Sequence, residues 1–119
     1  MKCGDRVSVS PRFAPEECIY GVVDFIDWAP VNRGMKNGPF TNYIYIALDV
    51  PDYPLLRGSP IRVRNQGLCI VEAVSSAGTV DVFCDDGGYN CCKHVFTIPQ
   101  SDIQSMLFSE QAFEFSTVS

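Results

Sequence analysis

Apolar and polar residues alternate along most of the chain, in short runs separated by clusters of Gly, Pro, Asn and Ser, the pattern of half-buried β-strands joined by turns. Arg6-Val7-Ser8-Val9-Ser10 alternates until Pro11 and Pro15 interrupt it. Residues 20–27 predict a second strand, in which Gly21 suits a bulge or the close approach of a neighbouring backbone. Residues 42–50 carry the strongest strand signal, with Ile44, Ile46 and Leu48 on one face and Tyr43, Tyr45 and Ala47 on the other. Residues 61–65 alternate Ile and Val with Arg62 and Arg64, and residues 68–74 and 79–84 flank Ser75-Ser76-Ala77-Gly78, a four-residue hairpin connection. A strand over 95–98 follows the Asp85-Asp86-Gly87-Gly88 turn, and a closing strand is read over 112–118.

One helix is signalled. Ser101 and Gln104 have the spacing of a capping box, and Ile103, Met106 and Leu107 stand at i, i+3 and i+4, which predicts two helical turns over 102–108. Such a helix would plug a barrel end or dock on its edge. Shifting the chain by 36 residues lays Tyr45-Ile46-Ala47-Leu48-Asp49, with Tyr53, over Asp81-Val82-Phe83-Cys84-Asp85, with Tyr89, an internal echo of an alternating strand that exits on Asp. The fold class expected is therefore all-β.

Length and composition narrow this. At 119 residues the chain accommodates one compact domain, 1–119, or two very small sub-halves, 1–65 and 66–119, and leaves no room for a separate catalytic domain. With 46% hydrophobic and 19% charged residues, disorder and coiled coil are excluded. No apolar run reaches the roughly 18 residues of a membrane helix. Met1-Lys2-Cys3-Gly4-Asp5-Arg6 lacks the apolar core of a secretion signal, so the expected location is the cytoplasm and the six cysteines are expected to be thiols.

The net charge of −5 is unevenly spread: residues 1–32 sum to −2, residues 33–65 to +3 and residues 66–119 to −6. An acidic chain repels phosphate at long range and attracts cationic partners. The basic middle nevertheless offers Lys36, Arg57, Arg62 and Arg64 with Tyr43 or Tyr45 as a nucleic-acid face. Cys84, Cys91, Cys92 and His94 are of zinc-ligand type, but they form no CxxC knuckle and alternation turns Cys91 and Cys92 to opposite faces, so no metal or cofactor is expected. His94 is the only histidine, and no phosphate loop, metal-helix motif or dinucleotide fingerprint is present, so the chain is read as non-enzymatic.

The excursion after the second strand joins the only tryptophan, Trp28, to Arg33, Met35, Lys36 and Phe40, and Trp, Arg and Met are residue types that dominate interface energetics. Trp28 either anchors a partner or caps the core where its strand ends. In Tyr53-Pro54-Leu55-Leu56-Arg57 the adjacent leucines cannot readily both point inward, which leaves one for a partner.

Gly4-Asp5-Arg6-Val7-Ser8-Val9 followed by Gly21-Val22-Val23-Asp24-Phe25-Ile26 is similar to the opening of small SH3-like barrels, and residues 67–103 resemble the Tudor-type version. The resemblance implies a small SH3-like barrel, single and elaborated or built of two fused halves, with one short C-terminal helix. It also implies a binding module, in which Phe83, Asp85, Asp86 and Tyr89 would form the rim of an aromatic cage for methylated basic peptides; Gly87-Gly88 before Tyr89 and Cys91-Cys92 after it depart from that pattern. The leading expectation is a protein-binding module, an inhibitor or adaptor such as a phage-encoded anti-defence protein, that occludes a basic surface on its partner. Its contacts would be Trp28, Arg33, Met35, Phe40, Tyr53 and Leu56, with Asp85 and Asp86 steering the encounter.

Overall fold

The alternating runs become strands at almost every expected place in a computed structural model, which describes residues 1–32, 37–50, 55–84 and 94–118. These residues form β1 (Arg6–Pro11), β2 (Ile19–Pro30), β3 (Phe40–Leu48), β4 (Pro60–Val63), β5 (Gly67–Val74), β6 (Thr79–Cys84), β7 (Phe96–Pro99), β8 (Ile103–Ser109) and β9 (Phe113–Thr117). The fold is all-β, and the strand pairs whose register is defined are antiparallel.

The C-terminal helix expected over 102–108 is not there. A three-residue 3-10 turn, Gln100–Asp102, makes no side-chain cap hydrogen bond and leads directly into β8. The helical spacing has a local cause in the β4–β8 register, where Ile61 faces Met106 and Arg62 faces Ser105 but Val63 faces Ile103. The extra residue is a bulge, which brings Ile103 and Met106, three apart, to the face shared by Val63 and Ile61. A bulged strand thus carries an i, i+3 apolar spacing.

The chain forms two compact units, Met1–Asp49 with Leu107–Ser119, and Val50–Met106. In the first, the hydrogen-bonded order is β8-β3-β2-β1-β9, β8 entering with Leu107–Ser109; in the second it is β7-β6-β5-β4-β8, β8 entering with Ile103–Met106. Numbered along the chain within each unit, both orders are 4-3-2-1-5.

The repetition extends to single hydrogen bonds. Lys2-Cys3-Gly4-Asp5 is a turn in which Asp5 N–H donates to Lys2 O at 3.1 Å while Lys2 N–H donates to Asp5 Oδ2 at 2.9 Å. Leu56-Arg57-Gly58-Ser59 repeats it, with Ser59 N–H on Leu56 O at 3.0 Å and Leu56 N–H on Ser59 Oγ at 3.1 Å. Gly4 and Gly58 both have φ +91°, the left-handed value that the third residue of such a turn requires. Gly4 N–H then reaches Val23 O and Gly58 N–H reaches Val71 O, each at 2.8 Å. A register shift follows at Val23/Phe25 in one unit and at Val71/Ala73 in the other. Ile46 faces Val23 where Val82 faces Val71, so the third strands correspond at a separation of 36 residues, the same as the echo in the sequence.

Each unit has its own core. Val7, Val9, Val23, Ile44 and Ile46 are fully buried in the first, where Phe108 meets Phe113 edge-on at 5.0 Å. Ile61, Val63, Cys69, Val71, Val80 and Val82 form that of the second, with Leu55, Phe96 and Met106 packed against it. Each of these aliphatic side chains stabilises the fold by about 1.5–3 kcal/mol through burial. Among the described residues no helix is long and apolar enough to cross a membrane.

Candidate functional site

Among the described residues, hairpin β2–β3 carries two aromatic ring pairs, Trp28–Phe40 and Phe25–Tyr45. Its inner face runs through Ile44, which is fully buried, and continues through the Trp28–Asn42 and Pro30–Phe40 pairs. The face therefore extends beyond the residues that cover it. Trp28 and Phe40 are diagonal neighbours there, stacked with ring centroids 5.8 Å apart at 29°, yet 63% and 42% exposed. Val31 N–H donates to Pro39 O at 2.9 Å and closes the base of the connecting loop just beyond the pair; Val31 is itself exposed.

The opposite face of the hairpin is buried at Tyr45 and half-buried at Phe25 and Tyr43. Tyr45 is buried against Phe25, with centroids 5.8 Å apart, and the Tyr43 hydroxyl donates to Pro30 O at 2.9 Å. That bond ties the end of β3 to the end of β2, so Tyr43 braces the backbone on which Trp28 stands. Tyr45 has no free ring face for a base to stack on. Arg6 pairs with both carboxylate oxygens of Asp49, just past the other end of β3.

Of the expected contact residues, the structure brings Trp28 and Phe40 together. Arg33, Met35 and Lys36, in the loop they flank, lie outside the described residues, as does Tyr53. Leu56 is 74% exposed at its turn while Leu55 packs on the core of the second unit, so the two leucines do part. Arg57 is paired with Glu72 Oε1 at 3.2 Å. Arg62 stands on the face of β4 opposite Ile61 and Val63, and Arg64 follows in the turn after the strand, where its N–H donates to Asp102 O at 2.9 Å; both belong to the second unit, and Tyr43 and Tyr45 to the first.

Phe83 is half-buried on β6 opposite Ile70. Asp85, Asp86 and Tyr89, its partners in the expected rim, lie outside the described residues, and so do Cys91 and Cys92. Cys84 is exposed opposite buried Cys69, and His94 stacks on Phe96 with centroids 6.4 Å apart. Among the described residues no group of three or more His, Cys, Asp and Glu could hold a metal ion.

Two surface features had no place in the expected site. Phe13 is 87% exposed in the turn after β1, and Arg12 forks onto the Glu110 carbonyl through Nε and Nη2 while its Nη1 meets Glu114 Oε1 at 3.1 Å. Pro11 next to Arg12-Phe13 marks the strand end but carries no signal for a partner on a strand a hundred residues away. No family model, curated protein or solved structure matches the chain.

Proposed function

We propose that the chain is a non-enzymatic protein-binding module, an inhibitor or adaptor, that docks through the Trp28–Phe40 end of hairpin β2–β3. The observation that carries this reading is the stacked pair itself, two large aromatic rings held in water by a rigid ladder. Aromatic anchors of this kind supply most of the energy of many interfaces, and a pair already stacked in the free chain loses little side-chain freedom when it binds. The partner would offer an apolar pocket with basic groups around it, because the chain carries a net charge of −5.

The SH3-like character of the fold belongs to the same proposal. It is supported by the 4-3-2-1-5 order repeated in both units and by the 3-10 turn between the last two strands of the second.

Affinity capture from the cells that produce the protein tests the reading, with the Trp28→Ala/Phe40→Ala double variant beside the native chain and Val74→Ala as an exposed control on β5. The partner captured by the native chain and the control is lost to the double variant by at least tenfold, since two anchors together are worth more than about 2 kcal/mol. Equal capture by all three proteins contradicts the assignment.

A further inference from the structure

Among the described residues, strand β9 is hydrogen-bonded to a strand on one side only, to β1. Arg12 N–H donates to Ala112 O at 3.0 Å and Val118 N–H to Arg6 O at 2.8 Å. Backbone groups in an antiparallel ladder point alternately toward and away from the partner strand, so Ala112, Glu114, Ser116 and Val118 face β1. Phe113, Phe115 and Thr117 turn their N–H and C=O groups to the other edge, where the strand order ends. That edge adjoins an open groove of about 400 Å³ lined by Met1, Arg12, Glu110 and residues 113–116 of the strand.

An unpaired edge is a template for another strand unless something blunts it. At the end of the second unit's run, β7 is four residues long and finishes on Pro99, so it is blunted. By contrast β9 has no proline, no lysine and one charge, Glu114, whose carboxylate Arg12 already holds.

We propose that β9 pairs antiparallel with β9 of a second copy of this chain, about a two-fold axis at Phe115. The occupant follows from the register. With the axis at Phe115, Phe115 faces its own copy and Phe113 faces Thr117 of the second copy. Every residue whose backbone groups point outward thus meets another such residue, each pair exchanging both hydrogen bonds. Glu114 then faces Ser116 of the second copy. An axis moved by one residue to Glu114 would set two carboxylates against each other and leave Thr117 without a partner.

The side chains agree with this axis. Phe113, Phe115 and Thr117 share the face of their ladder partners Pro11, Val9 and Val7, of which the two valines are fully buried. The apolar strip over the core therefore continues across the axis through two half-buried Phe115 rings. The proposal concerns different residues from the Trp28–Phe40 site and stands apart from it.

Sedimentation equilibrium of the full chain over a concentration series, with three variants, decides it. The native chain shifts from monomer toward dimer as concentration rises. Ser116→Glu, which faces Glu114 of the other copy twice across the axis, weakens the dimer about fivefold, and Ser116→Lys strengthens it about fivefold. Thr117→Pro removes an outward N–H without touching the β1 ladder and abolishes the dimer. Tighter association by Ser116→Lys cannot arise from misfolding. A native chain that stays monomeric throughout overturns the proposal, as does a dimer whose constant moves the same way in both Ser116 variants or is unchanged by Thr117→Pro.

Discussion

Gly21 has no room for a side chain: a Cβ there would stand 2.5 Å from the Ala47 carbonyl oxygen and 2.6 Å from Ile46 Cγ2. Backbone cannot yield as a flexible side chain does, so Gly21→Ala is expected to cost about 2–3 kcal/mol, read as a fall in the urea midpoint. An unchanged midpoint would mean that β2 and β3 are not as closely apposed as described. The need for glycine here was legible in the sequence, because an isolated Gly in a strand pattern signals close approach. Trp28 was not decided there: an apolar residue at a strand end is compatible with a capped core or a free anchor, and only the extent of covering structure separates them. Neither Phe13 nor the Arg12 contacts could be read, since both depend on where the chain returns about a hundred residues later.

Hairpin signals were legible at the element scale, most clearly Ser75-Ser76-Ala77-Gly78, where Ser75 N–H meets Thr79 O at 3.0 Å and Gly78 takes φ +82°. The failure was the helix at 102–108, where a bulge in β8 imitated helical spacing and tertiary pairing overrode a local cap motif. A direct consequence concerns Ser101. A working N-cap lost to alanine costs typically about 1 kcal/mol, whereas an exposed residue without that bond changes stability by less than about 0.5 kcal/mol. Ser101→Ala is therefore expected to leave the urea midpoint almost unmoved, and a loss of a full kcal/mol would restore the helix reading.

For the molecule as a whole, the echo at 36 residues was the visible trace of two units sharing one strand order and one set of turn hydrogen bonds. The sequence correspondence is faint because backbone bonds, not side chains, carry the repeat: Asp5 and Ser59 do the same work with different oxygens. The Trp28–Phe40 pair belongs to the first unit, where the third strand begins with Phe40, whereas its counterpart in the second begins with Thr79. Trp28 is the only tryptophan, so docking through it is directly measurable by fluorine NMR of the chain labelled with fluorotryptophan. The free protein is expected to give one resonance with a clear solvent isotope shift, and that shift is expected to be lost when the captured partner is added. A resonance already shielded from solvent in the free chain, or one that stays equally exposed in the complex, would contradict it.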